Sequence, residues 1–412
     1  MKTELQGGFT EVSGGVCAAK GFTAAGIHCG FRYTSEKKDL ALIVSEAKCA
    51  AAGVYTQNKV QGAPIAVTRR NIADGYAKAI ICNSGNANTC APGGEELAEE
   101  TCRITAEVLG MAPEDIVVCS TGVIGEQMTI EPFQRGIPLI AKEVNPYGSQ
   151  DAAEAIMTTD TVCKTIAVEF KLGGAVCRIG GIAKGSGMIN PNMATMLSFI
   201  TTDAAIEPKM LQKALSEGIK TSYNQICVDG DTSTNDMVVV LANGMAGNEM
   251  ITEEGAAYEI FCAALASVTR YLAKLLARDG EGATKLIECN VTGAVDEKTA
   301  QAVSKSVISS NLLKAAIFGA DANWGRVLCA IGYTPGDFST DHIDVIMRSA
   351  AGSVLVCEDS KHKPYSEDEA TKILSEPEVM IDIDMHSGSA AATAWGCDLT
   401  YEYVRINGDY RS

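Results

Sequence analysis

Thr195 stands at the exit of an abrupt turn. The stretch "KGSGMINPNMATMLSF" (184–199) crowds glycine and proline into its first half and sets Met188, Met193 and Met196 within nine residues. An apolar run then opens at the threonine. A threonine hydroxyl is a weak nucleophile without an adjacent base. The chain has only four histidines, none of them in this stretch. A threonine that heads a chain carries its own base. A free α-amine has a pKa of about 7.7–8.0, against about 10.4 for lysine, so roughly a seventh of such amines are neutral at pH 7. Creating that residue in mid-chain requires cutting the Ala194–Thr195 bond. A rigid Gly/Pro turn feeding a buried strand could strain that peptide towards hydroxyl attack. On spacing alone, the plainer reading is a Gly/Pro loop ahead of a core strand.

Other residues could complete acyl-transfer chemistry. "VVCSTGVIGE" (117–126) runs from a buried strand into a glycine turn. That is a fitting place for N–H groups aimed at a developing oxyanion; an ordinary turn fits equally. Lys184 lies eleven residues before Thr195. Its cation could bind a substrate carboxylate or depress the pKa of the Thr195 amine, or it could be a solvated surface lysine. Glu281, in "ARDGEGATK" (277–285), offers a carboxylate to an ammonium-bearing substrate; a solvated loop glutamate is the alternative. "DGDTSTND" (229–236) is an acidic turn without the twelve-residue loop and closing glutamate of a calcium site. It is read as turn and scaffold, with no metal assigned. His28, His342, His362 and His386 are isolated from all these stretches and receive no role.

These residues need a rigid frame. Short β-branched runs ending at glycine read as buried strands: "AIICNSG" (79–85), "DIVVCSTG" (115–122) and "DMVVVLANG" (236–244). Helical patterns cover 95–110, 207–220 (with Pro208 at its start) and 253–280, the last apolar around much of its circumference and expected between layers. Several strands lack an intervening helix, which favours a layered α/β sandwich over a doubly wound parallel sheet. The rhythm changes after 285. Residues 1–285 are therefore expected to form a catalytic sandwich and 286–412 a smaller α/β domain. At the end of the chain, "LTYEYVRI" alternates like a strand. It is expected to dock on a sheet and carry the tail inward, with Tyr401, Tyr403 and Tyr410 unlikely to trail in solvent.

Bulk properties bound the function. A formal net charge of −17 argues against nucleic-acid partners and anionic membranes. The 15 cysteines are odd in number, dispersed and without a C-x-x-C pair, which suits buried thiols in a reducing cytoplasm. The first residues carry no secretory h-region, and no apolar run is expected to reach the roughly 18 residues that span a bilayer.

"KGSGMINPNMATML" closely resembles the self-cleavage motif of the ornithine acetyltransferase (glutamate N-acetyltransferase) family of arginine biosynthesis. Further blocks match the same family in the same order: "NSGNAN" (83–88), "STGVIGE" (120–126), "DGDTSTND", "DGEGATK" (279–285), "NWGR" (323–326) and the terminal "YVRINGDYRS". Two departures look like turn variants: "NTCAPGG" (88–94), where a Thr-Gly turn is more usual, and Ala322, where proline is.

The resemblance implies a precursor that cuts itself between Ala194 and Thr195. The α chain (1–194) and β chain (195–412) stay together in an α2β2 assembly. It implies an αββα-type sandwich of the N-terminal-nucleophile kind, without a cofactor. Thr195 would take the acetyl group from N2-acetylornithine and pass it to glutamate in a ping-pong reaction. Thr121 and Gly122 would form the oxyanion hole. Thr158, Lys184, Thr195, Glu281, Asn407 and Ser412 would contact substrate, with the neighbouring Thr159 leaving the Thr158 register open by one residue. Whether acetyl-CoA also acylates Thr195 stays open. Two rivals are an N-terminal-threonine aminopeptidase or amidase, and an uncleaved binding protein that keeps the fold.

Overall fold

Among the described residues, sixteen strands and eleven helices follow one another without a regular βαβ rhythm. The structure is a computed structural model and describes residues 9–32, 36–190 and 196–409; Ala194, Thr195 and Ser412 lie outside them. The first sheet holds β1 (Thr10–Glu11), β2 (Phe22–Ile27), β3 (Leu40–Tyr55), β4 (Tyr76–Asn86), β5 (Ile116–Val123), β6 (Lys164–Leu172), β7 (Ala175–Lys184), β8 (Leu197–Thr202) and β10 (Met237–Ala242). Their order is β1-β6-β7-β8-β10-β3-β4-β5, with β2 also on β3. The second sheet holds β9 (Ile226–Cys227), β11 (Leu286–Ala294), β12 (Asp344–Ser349), β13 (Gly352–Glu358), β14 (Lys361–His362), β15 (Glu378–Asp384) and β16 (Ala390–Cys397). It runs in the order β14-β13-β12-β15-β11-β16-β9.

The helices are α1 (Ala63–Asn71), α2 (Gly94–Leu109), α3 (Glu131–Glu143), α4 (Ser149–Ile156), α5 (Pro208–Gly218), α6 (Ala256–Arg278), α7 (Glu297–Ser309), α8 (Asn311–Phe318), α9 (Trp324–Gly332), α10 (Glu367–Leu374) and α11 (Tyr401–Gly408).

The sixteen residues of β3 shape the first sheet. Leu40–Ile43 pair with both β2 and β4, whereas Ala50–Tyr55 pair with β10; a register shift against β4 lies between Val44 and Cys49. The extra residues of such a bulge bend a strand, so the sheet is divided into two halves. Strand alternation then separates three layers of side chains. Ala41 and Ile43 share one buried cluster with Leu197, Phe199, Val239 and Leu241, so the two halves face each other. Leu40, Leu42, Ile81 and Val118 point the other way, into α2 and α3 residues such as Cys102 and Phe133. Ile179, Ile200, Val238 and Val240 pack on Leu211 of α5 and Phe261, Leu265 and Leu272 of α6. This is the layered αββα arrangement. β8 and β10 are buried at every position, as continuous apolar runs beneath two faces should be.

The second sheet packs Ile287, Val345, Ile381 and Ala394 against apolar residues of α7–α10. α6 bridges the sheets, since Trp395 of β16 joins its cluster. By length and composition α6 is apolar enough to cross a membrane, contrary to the expectation that no run would be. Its apolar residues are used in packing instead.

The tail differs from its expected conformation. Residues 401–408 form a helix, not a strand. The Thr400 hydroxyl accepts the N–H groups of Glu402 (3.2 Å) and Tyr403 (3.4 Å), and Glu402 pairs with Arg405 one turn on. N-capping and an i,i+3 ion pair favour helix, and outweigh the strand-like alternation. None of its residues is fully buried, and Tyr401 is 84% exposed.

Tyr223, wholly buried between α5 and β9, shares a 2.8 Å hydrogen bond with Ser198 of β8. Tyr223→Phe removes that hydroxyl and strands its partner. Urea denaturation should show a loss of about 1 kcal/mol with an unchanged slope.

Candidate active site

Lys184 ends β7, and its position pulls three distant segments together. Its Nζ donates to Thr158 Oγ1 at 2.8 Å and to Thr121 Oγ1 at 3.3 Å. Thr121 lies near the end of β5, and Thr158 follows α4. Lys184 also pairs in register with Leu197, the first residue of β8. The described chain resumes at Met196, so this cluster borders the segment holding Thr195. Lys184 is 8% exposed and is therefore not a solvated lysine. Burial pushes its pKa below the usual lysine value, with help from Lys164, while Asp160, Asp236 and Cys82 pull it back up.

Beside Thr121, Gly122 has φ +136°. A Cβ there would come within 2.2 Å of the Gly85 carbonyl carbon. Only glycine allows β4 and β5 to approach this closely in that conformation.

A buried lysine needs compensation. Asp160 provides part of it, accepting from Gly185 N and Lys164 Nζ, both at 2.6 Å, and from Thr158 N at 3.0 Å. Lys164 is wholly buried and also reaches Asp279 Oδ2 at 2.6 Å. Asp279 in turn accepts from Thr161 N at 3.1 Å and from the Thr161 hydroxyl. Burial would raise the Asp160 pKa, but the charges of Lys164 and Lys184 and the Gly185 N–H outweigh it and hold it at about 2.

Glu281 follows two residues after Asp279. Its N–H donates to Ser186 O at 2.8 Å, and its buried carboxylate accepts from Asn407 Nδ2 at 2.7 Å. The carboxylate lies over Gly187, where a Cβ would come within 2.4 Å of it. The Thr159 hydroxyl meets Ser186 Oγ at 2.6 Å, so Thr158 faces the lysine and Thr159 faces the following turn. Glu281 and Asn407 therefore meet each other. The Lys184, Thr121 and Thr158 cluster joins them through the same Lys184–Gly187 turn.

The acidic stretch 229–236 grips this turn. Asp229 accepts from Met188 N (2.6 Å) and Ile189 N (2.8 Å), and Tyr403 reaches the same carboxylate at 3.3 Å. Met188 has φ +56°, an uncommon conformation outside glycine. Asn190 donates to Gly230 O at 3.0 Å, and Thr232 donates to Asn190 O at 3.0 Å. On the far side of 191–195, Met237 N donates to Met196 O at 2.9 Å. Asn235 donates to Ala87 O (2.6 Å) and Ser120 O (3.0 Å), tying the stretch to the Thr121 turn.

Asp160, Lys164, Asp279 and Asn235 were not singled out from sequence. Asp160 and Lys164 do stand four apart, but their third partner is 115 residues away. His28, His342 and His386 bond to Lys37 O, Asp359 and Asp344, and His362 stacks on Trp324. Among the described residues, no group of three or more His, Cys, Asp or Glu could hold a metal ion. The arrangement instead offers hydroxyls and a cation on one side of the turn and a carboxylate on the other. Such polarity suits a substrate bearing both a carboxylate and an ammonium group.

Comparison with known proteins gives a consistent picture. The ArgJ family model matches residues 23–412. The arginine biosynthesis bifunctional protein ArgJ of Symbiobacterium thermophilum is 50% identical over 403 residues, covering 97% of this chain and 99% of that protein. Its Bacillus subtilis counterpart is 48% identical, covering 98% of each. A crystal structure of the Bacillus halodurans protein of that name is 50% identical with a TM-score of 0.50, covering 52% of this chain and 100% of the solved one.

The buried charge network makes a stability prediction. Asp160 has a pKa of about 2 in the folded chain against an ordinary 3.8. A depressed carboxyl stabilises the fold above the ordinary value, and that stability drains away as pH falls towards 2. Asp160→Asn should cost about 2 kcal/mol or more at pH 7. Denaturation curves of the parent should weaken between about pH 4 and pH 2, a component that the variant lacks.

Proposed function

Because this chain belongs to the ArgJ family, we propose that it transfers the acetyl group of N2-acetylornithine to glutamate, through an acetyl ester on Thr195. The observation that carries this reading is Lys184, buried between the Thr121 and Thr158 hydroxyls beside the start of β8. In this reading residues 1–285 form the catalytic sandwich, and 286–412 form a smaller unit that returns Asn407 to it.

The first step is self-cleavage of the Ala194–Thr195 peptide by the Thr195 hydroxyl, which frees the α-amine. The turn before this segment and Met196 after it are both held by hydrogen bonds.

The amine then takes the hydroxyl proton while Thr195 attacks the acetyl carbonyl. The Thr121 hydroxyl and Gly122 N–H stabilise the oxyanion. The acetyl C–N bond breaks, and ornithine leaves with the proton returned by the amine. Glutamate's amine attacks the ester, and the same groups act in reverse. Lys184 and Thr158 bind the substrate α-carboxylate, whereas Glu281, oriented by Asn407, receives the side-chain ammonium of ornithine. In this reading Ser412 contacts the substrate as well. The relatives are called bifunctional, and we take acetyl-CoA as a second acyl donor. The α and β chains associate as α2β2 in the cytoplasm, a setting that suits fifteen free thiols. No cofactor is required by these steps.

Intact-mass measurement of the active enzyme should find pieces of 194 and 218 residues, barring loss of Met1. Thr195→Ala should stay whole and inactive. Labelled N2-acetylornithine with glutamate should yield labelled N-acetylglutamate faster than acetate. Faster acetate release would make the protein an amidase, and an uncut chain without turnover would make it a binding protein. Activity should rise with an apparent pKa of about 7–8 and keep that rise when the four histidines are replaced.

Deleting Arg411 and Ser412 should spare self-cleavage yet slow transfer roughly tenfold or more, a loss of about 1.4 kcal/mol in transition-state contact. Steady-state rates for parent and truncated enzyme check this, and equal rates would remove Ser412 from the site.

A further inference from the structure

The C-terminal end of α6 leads to Asp279 and Glu281, but the catalytic reading gives its middle turns no task. Ser267, Arg270, Tyr271 and Lys274 follow the i, i+3, i+4, i+7 spacing of one helix face. They line a cavity of about 550 Å3 between α6 and the polar face of the second sheet. Glu288 of β11 and Trp395 of β16 are on the opposite wall, with Glu297 of α7 also lining it. The volume is in the usual range for small-molecule pockets, about 300–1,000 Å3.

Three observations point to a ligand. Ser267 is 5% exposed, and its hydroxyl lacks a hydrogen-bond partner among the described residues. Buried hydroxyls are almost always paired, so an unpaired one lining a cavity calls for an external partner.

The lining charges are also separated by side. Arg270 and Lys274 come from the helix, and Glu288 and Glu297 come from the elements opposite. Lys274 is engaged with Glu288 at 3.1 Å, and Trp395 donates to the same carboxylate at 2.9 Å. Arg270 donates to Thr221 at 3.1 Å, which holds its side chain at the cavity wall. Glu297 is exposed, accepting from Gln301 at 2.9 Å.

Finally, both walls continue into the candidate active site. α6 leads to Glu281, while β16 leads to Asp398 and then to α11 with Asn407. Asp398 accepts from Thr284 N (2.8 Å) and Lys285 N (2.9 Å), fastening the loop after Glu281.

We propose that this cavity is a second ligand site, for a compact zwitterion of the free α-amino-acid class. The ligand carboxylate sits on Arg270 and Ser267, and its ammonium group faces Glu297. The site is separate from the acetyl-transfer centre and does not depend on that reading.

Thermal unfolding of the purified enzyme with a panel of the standard L-amino acids tests it, with acetate and methylammonium as single-charge controls. At least one amino acid should raise the melting temperature by about 2 °C or more in the parent. The shift should persist in Lys184→Met and vanish in both Arg270→Gln and Glu297→Lys. Glu297 is exposed, so its reversal should fold, and each variant's ligand-free melting curve checks this. The proposal is overturned if no amino acid shifts the curve, or if acetate alone reproduces the shift. It is also overturned if the shift vanishes in Lys184→Met but survives in the cavity variants.

Discussion

Lys164 is a cation with no exposed surface, and it is held by Asp160 and Asp279 at 2.6 Å each. Removing either carboxylate would leave an unbalanced charge in a low-dielectric interior, a far larger cost than loss of a surface pair. The three residues also join separate pieces of chain. Asp160 fixes the Thr158 loop and the Gly185 N–H, and Asp279 ends α6. The backbone positions on both sides of Lys184 and Glu281 are thus set by one buried ion network. Lys184 itself can be buried because Asp160 lies close enough to offset part of its desolvation.

Much of the fold was legible because central strands leave a plain signature. β4, β5 and β10 each contain a buried apolar run, and each was recognisable as a run ending at glycine. β3 was not, since Ser45, Glu46 and Lys48 interrupt its apolar residues near the register shift. That interruption is where the strand passes from one half of the sheet to the other. A sequence window sees a break there, although the backbone continues. The terminal helix was hidden for a different reason. Period-2 alternation over a few residues is weak evidence beside a threonine cap, and Tyr401 tolerates exposure while packing edge-on against Phe318.

The candidate site was legible only in part. Thr121, Thr158 and Lys184 meet through hydrogen bonds, as do Glu281 and Asn407. Their types and family pattern could be read along the chain. The carboxylates that keep Lys184 in place could not, because the pairing of Lys164 with Asp279 spans 115 residues. Asn235 shows the same limit. The four hydrogen bonds of its side chain link 87, 89, 120 and 234, and no local spacing foretells the three distant ones.

The strand order has a consequence for any break between 190 and 196. β8 lies between β7, which precedes the break, and β10, which follows it; β10 in turn lies against β3, from before it. The two strands from after the break, β8 and β10, are wedged as a pair between strands from before it. Two polypeptides made by such a break would have no surface along which to slide apart. Their separation would require dismantling the centre of a sheet that is buried on both faces. Covalent continuity would be dispensable to the finished molecule, although folding as one chain brings the strands into their order.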